Sequence, residues 1–164
     1  MEPAATPQPP EFVHLHVHSE YSLLDGSIKV KKLVKELVSR QAKAAALTDH
    51  DALHGAVEFY LECQKEKING IIGYEANVEP LLLTSSKSPF HLVLLAETNE
   101  GYANIIKLCS IANTDGKNRM GPESNVVCWD EIRAHAGGII CLTSCMKGEL
   151  QQIILSEEAD KSDT

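Results

Sequence analysis

No stretch of the 164-residue sequence approaches the ~18 consecutive apolar residues that span a bilayer, which excludes a transmembrane helix. Basic residues are not in excess either: 15 Lys+Arg stand against 23 Asp+Glu, a formal charge of −8. Phosphate affinity comes mainly from basic patches, so this balance argues against tight, non-specific nucleic-acid binding by this chain alone. Any nucleic acid it handles must be held by metal ions or neighbouring domains. Residues 1–11 have neither the basic n-region nor the apolar h-region of a secretory signal; they are rich in Pro and Ala and read as a flexible tail. The five cysteines (Cys63, Cys109, Cys128, Cys141 and Cys145) are odd in number and lie in or beside apolar segments. They read as reduced thiols of a cytoplasmic protein, not as a disulfide framework. There is no repeat of fixed period.

What is present is an ordinary globular composition, 43% hydrophobic and 23% charged, at a length suited to one domain. Short apolar runs alternate with amphipathic stretches. Residues 12–17 alternate apolar residues with histidines and read as a strand. Over residues 27–40, Ile28, Val30, Leu33, Val34, Leu37 and Val38 form one stripe at helical spacing, with lysines opposite. Residues 44–48 read as a short buried strand. Asp51 is placed to N-cap a second helix running to about residue 67, with Val57, Tyr60 and Leu61 inward. Residues 70–78 and 91–96 read as strands, with 81–88 ambiguous between them. Thr98 opens a helix to about residue 113 whose Ile105, Ile106, Leu108, Cys109 and Ala112 face inward. Residues 113–125 read as loop, 129–136 as a short helix and 138–143 as a fifth strand. Another helix begins over 149–155, and 156–164 form an acidic tail. Strands alternating with helices predict an α/β fold with a mainly parallel sheet, either a small doubly wound sheet or most of a barrel.

The chemistry concentrates in a few places. In His14-Leu-His16-Val-His18, residues two apart share a strand face, so the three imidazoles are expected to point one way and Val13, Leu15 and Val17 the other. A row of histidines costs desolvation unless each ring finds a partner, and metal is the strongest available. Asp25 lies in the turn Leu24-Asp25-Gly26, Thr48-Asp49-His50-Asp51 follows the second strand, Glu75 ends an apolar run, and Cys145 follows the fifth strand. In parallel α/β architectures, sites form at the carboxyl ends of strands, where these residues are expected to converge. Asp25 reads equally as a turn residue and Cys145 as a plain thiol, while Asp49 and Asp51 read as supporting or capping groups. His91 begins its strand, the wrong end for a parallel barrel. His14 reads as a core or rim residue, and His54 and His135 as ordinary helix residues.

These segments, together with Gly73-Tyr74-Glu75, His91-Leu-Val-Leu-Leu-Ala96 and Ser144-Cys145, resemble the polymerase and histidinol phosphatase (PHP) domain. The runs from His16 through Gly26 and from Glu97 to Tyr102 resemble more closely the form of that domain at the N-terminus of bacterial DNA polymerase III alpha subunits. The likeness covers residues 12–155. It implies a distorted, TIM-like βα barrel of seven strands, of which about five strand–helix units are present here. It also implies a divalent metal cluster. The matching ligand positions are His16, His18, Asp25, His50, Glu75, His91 and Cys145, with Glu75 and His50 as catalytic residues. A late Asp-x-His motif of the family has no counterpart, since no histidine follows Cys145.

Imidazole, carboxylate and thiolate ligands suit zinc, with manganese or iron as alternatives. Clustered metals suit phosphoester hydrolysis. The resemblance implies a piece of a DNA-directed DNA polymerase whose own active site, and the magnesium it uses, lie elsewhere. The PHP site would then act as a 3′–5′ proofreading exonuclease. The implied partners are DNA, the remaining polymerase domains, a proofreading exonuclease subunit and the sliding clamp, with no membrane. Two alternatives are a non-catalytic scaffold that docks a separate proofreading subunit and a stand-alone PHP phosphatase. An unclosed barrel leaves a strand edge open, so weak metal retention and poor solubility are expected of residues 1–164 alone.

Overall fold

The first regular element is a helix, not the strand expected over residues 12–17. In the computed structural model, which describes residues 12–122 and 124–162 and side chains as far as residue 156, this segment runs extended beside β1 (Ala44–Leu47) with a single parallel bridge, His14 to Ala45. The His14 carbonyl accepts from Ala46 N at 2.7 Å and the Val17 carbonyl from Thr48 N at 2.9 Å. Between those bonds the segment advances one residue more than β1 does. The extra residue acts as a bulge and breaks the strict alternation of sides. The expected tail at residues 1–11 lies outside the described residues.

Helix α1 (Val30–Ser39) buries Val30, Val34 and Leu37, one stripe at helical spacing, and leaves its lysines exposed. Helix α2 (Ala56–Glu66) begins five residues after Asp51, which adopts a left-handed φ of 59° and so does not cap it. Its inner face is Ala56, Phe59 and Cys63, whereas Val57, Tyr60 and Leu61 are exposed. The sequence offers two apolar stripes here. The one carrying Phe59 meets α1 and β1, forming a core with Val34, Leu37, Ala45, Leu47 and Ile68.

Strand β2 (Asn69–Val78) organises the sheet. It pairs parallel with β1 through residues 69–72, and antiparallel with β3 (Phe90–Ala96) through residues 73–78. Helix α3 (Asn99–Asn113) follows, N-capped by Thr98, whose hydroxyl accepts from Gly101 N at 3.1 Å. The short β4 (Val126–Val127) pairs parallel with β2, and after α4 (Trp129–Ala134) strand β5 (Ile139–Leu142) pairs antiparallel with β3. The chain continues into α5 (Glu149–Ser162), so most of the expected acidic tail is helical. The α/β class is as the sequence reading has it, but the sheet is mixed: two of its four strand pairings are antiparallel.

The ambiguous segment 81–88 is tied down by α5. The Glu149 carboxylate accepts from Leu81, Leu82 and Leu83 N at 2.7–3.1 Å.

Alternation along the strands divides the sheet into two faces. Tyr74, Ala76, Val78 and Leu94 pack against Ile105, Leu108 and Ala112 of α3. Burying each of the Val, Leu and Ile side chains contributes ~1.5–3 kcal/mol. Ile106, expected inward, is exposed. The opposite face carries a smaller apolar cluster, Ala46, Val93 and Leu95 with Ile71 and Leu142. Glu75 and His91 share this second face with them, by register and alternation.

Candidate metal centre

Glu75 is seventh of ten residues in β2, and only 1% of its side chain is exposed. Four histidines surround it. His16 Nε2 lies 2.9 Å from Oε1, His18 Nε2 2.9 Å from Oε2, His50 Nδ1 3.0 Å from Oε2 and His91 Nδ1 3.3 Å from Oε1. The Ser144 hydroxyl donates to Oε1 at 2.9 Å. His16 Nε2 and His18 Nε2 also face each other at 3.3 Å, a spacing at which two ring nitrogens share a proton or a cation.

Each side chain is delivered by a different device. His16 and His18 follow the slip in the extended segment. That slip turns His14 away: it is exposed and packs edge-on against Phe12, so the expected row of three imidazoles is a pair. Leu15, expected on an apolar side, is 38% exposed. His50 continues the line of β1 and bridges Glu75 in parallel, with Asp51 N donating to the Glu75 carbonyl at 2.9 Å. His91 reaches the same place from the start of β3 because that strand runs antiparallel to β2 and registers against Asn77. The objection that His91 sits at the wrong end of its strand holds only for a parallel sheet.

Asp25 and Cys145 are not brought to this cluster. Asp25 is exposed and lines, with His16 and His18, a cleft of about 700 Å³ between the extended segment and α1. Cys145 is exposed, its sulfur facing Lys147 N at 3.5 Å. Its neighbour Ser144 takes the contact with Glu75, in a left-handed backbone conformation of φ 69°. Residue-type reasoning passes over Ser144, since a lone hydroxyl gives no metal-site signal. His54 is exposed, and His135 Nδ1 lies 2.9 Å from the Glu131 carbonyl of the preceding turn. All five cysteines are free; burial pushes the Cys63 thiol up to about 11.

The electrostatics are those of an anion ringed by bases. Burial alone would raise Glu75, but its contacts with His16, His18, His50 and His91 reverse this and hold the carboxyl far below the usual carboxylate range. The Glu75 hydrogen bond raises His18 against the opposing pull of burial. Asp51 is raised by burial, and accepts from the Tyr74 hydroxyl at 3.2 Å.

The donor set fits a divalent cation. Two trios, His16–His18–Glu75 and His50–Glu75–His91, each place three ligand atoms within 4.8 Å of one another and share the glutamate. His91 Nδ1 is buried and has no hydrogen-bond partner, its approach to Glu75 lacking hydrogen-bond geometry. A buried ring nitrogen without a hydrogen-bond partner is a group that coordination to a cation would satisfy.

Comparison with known proteins finds relatives over most of the chain. The chain is 39% identical over 155 residues to DNA polymerase III subunit alpha of Chlamydia trachomatis serovar D, covering 91% of this chain and 12% of that protein. It is 41% identical over 142 residues to the subunit of the same name from Helicobacter pylori strain J99, covering 85% of this chain and 11% of that protein. The chain thus spans a small part of the length of these relatives. Among solved structures it overlaps a Bifidobacterium adolescentis protein described as a metal-dependent phosphoesterase, at TM-score 0.47 and 16% identity, over 79% of this chain and 44% of that one. A family model, the PHP domain, matches residues 14–164. The chain belongs to the PHP domain family.

Proposed function

We propose that the cluster around Glu75 is a divalent metal centre that hydrolyses phosphoesters, and that its substrate is the 3′ end of a DNA strand. The observation that carries this reading is the convergence of four imidazoles, from three separate stretches of chain, on one buried carboxylate. His16 and His18 would hold one ion and His50 and His91 a second, with Glu75 bridging the pair, as the two trios sharing that residue suggest. Asp25, at the mouth of the adjoining cleft, and Cys145, one residue beyond Ser144, are ligands only if their loops close inward. Imidazole and carboxylate donors favour zinc, with manganese or iron as alternatives. A bound ion supplies Lewis-acid charge against the phosphate and lowers the pKa of a coordinated water toward ~7. Positive charge at the centre would also draw a DNA end to a chain whose own net charge is −8.

The likeness to DNA polymerase III alpha subunits supports placing this chain within a cytoplasmic replicative polymerase as a proofreading 3′–5′ exonuclease domain. DNA, the remaining polymerase domains, a separate proofreading subunit and a sliding clamp would be its partners. The test is metal analysis and 3′-end degradation of DNA by the complete protein, beside the His16→Ala/His18→Ala double variant. Metal-dependent degradation that the variant loses while keeping its fold is the expected result. Bound metal without any nuclease would favour the scaffold reading, and no metal at all would end both uses of the centre.

A further inference from the structure

Asp49 is a buried carboxylate, 2% exposed, outside the two trios. It accepts from Ser19 N at 2.6 Å, from the Ser19 hydroxyl at 2.8 and 3.0 Å, and from the Ser22 hydroxyl at 2.8 Å. All of these donors are uncharged. Burying a charge against uncharged donors is costly, and hydrogen bonds to the charged form are what offset it. Each bond ends on a residue next to the metal centre. Ser19 follows His18 directly. The Ser22 hydroxyl, while donating to Asp49, accepts from His50 N at 2.9 Å. One carboxylate, itself adjacent to His50, therefore fastens the chain carrying His16 and His18 to the chain carrying His50.

Three of the four contacts converge on Oδ1, and only the Ser19 hydroxyl also reaches Oδ2. An amide at this position can keep the Oδ1 bonds but removes the negative charge that strengthens them, whereas loss of the Ser22 hydroxyl removes a bond outright. Room is also fixed. A Cβ added at Gly55 would stand 2.7 Å from Asp49 Oδ2, so this glycine lets the carboxylate lie where the two chains meet.

We infer that Asp49 is the positioning residue of the metal centre, setting the spacing of His18 and His50 through Ser19 and Ser22. The inference rests on the metal-centre reading above. Groups that orient metal ligands without touching the metal typically contribute 10–100-fold in affinity. The test is titration of the metal-depleted complete protein with cobalt(II), reading dissociation constant and ligand-field bands, for wild type, Asp49→Asn and Ser22→Ala. Melting of each metal-free protein is measured alongside. Cobalt binding weakened about 10–100-fold, with shifted bands, in variants that still melt cooperatively is expected. Unchanged affinity and bands in both variants would overturn the assignment, even if their melting temperatures fell, since a purely structural role moves only melting. Should Asp49→Asn not fold, Ser22→Ala decides by the same criterion, because it removes the link to His50 N and leaves Ser19 bound. Failure of the wild type to take up cobalt would overturn the metal-centre reading itself, and this inference with it.

Discussion

His91 Nδ1 stands 3.3 Å from Glu75 Oε1 across an antiparallel strand pair in which Glu75 registers against Val93. His91, two residues before Val93, is the diagonal neighbour of Glu75 on the same face, within reach of a long side chain. Strand direction alone carries a histidine from the start of β3 to the site that the end of β1 also supplies. Replacing His91 with Ala should weaken metal binding while leaving β3 paired, since its backbone bonds do not depend on the ring. Metal stoichiometry and backbone hydrogen exchange of β3, measured on one sample, check both halves.

Glu75→Gln should cost more than any single histidine change. It removes the charge, and one of the two oxygens, on which four imidazoles and the Ser144 hydroxyl converge. A buried group left without its partner costs ~1–3 kcal/mol. Chemical denaturation of the chelated protein should show a loss in that range, and metal analysis of the untreated variant should show depletion. A variant as stable and as metal-loaded as wild type would contradict the account of this residue.

The phase of α2 is tested by a pair of substitutions. Phe59→Ala removes a fully buried ring and should destabilise by ~3–5 kcal/mol. Val57→Ala, at a position 62% exposed, should stay within ~0.5 kcal/mol of wild type. The order would reverse if Val57, Tyr60 and Leu61 formed the inner face.

Acid should loosen α4. Glu131 receives Arg119 Nη1 and Nη2 at 2.9 and 2.8 Å and Cys128 N at 2.7 Å. Arg119 first, then the Cys128 contacts, outweigh burial and hold its carboxyl at about 2 against an ordinary 4.5. Because the folded value is the lower one, this stabilisation is complete above 4.5 and is lost as pH falls toward about 2. Partial exposure limits it to ~1 kcal/mol. Glu131→Gln should flatten the stability–pH curve in that window, read from denaturant midpoints.

Thiol chemistry should follow burial. Cys63 is fully buried with its pKa pushed to about 11, whereas Cys141 and Cys145 are exposed. The thiolate is the reactive form, so alkylation of the native protein should label Cys145 and Cys141 and spare Cys63 until unfolding. Mass spectrometry of the labelled peptides reads the order directly.

The sequence by itself determined which residues could carry chemistry and where most elements lie. Apolar periodicity within ten or fifteen residues outlines α1, α3 and the strands 70–78, 91–96 and 138–143, and histidines or acids in such company mark His16, His18, His50 and Glu75, whereas His91 enters only through the family resemblance. These signals are local, because helix and strand faces repeat every few residues. Tertiary structure decided the rest. Whether β3 runs with or against β2, whether residues 14–17 keep step with β1, and which of two apolar stripes on α2 turns inward depend on hydrogen bonds and packing between segments far apart in the chain. So does the exchange of roles between Ser144 and Cys145, where one residue's left-handed backbone sets which side chain meets Glu75. The same dependence gave Asp49, which the sequence marks only as a supporting or capping group, its particular partners Ser19 and Ser22.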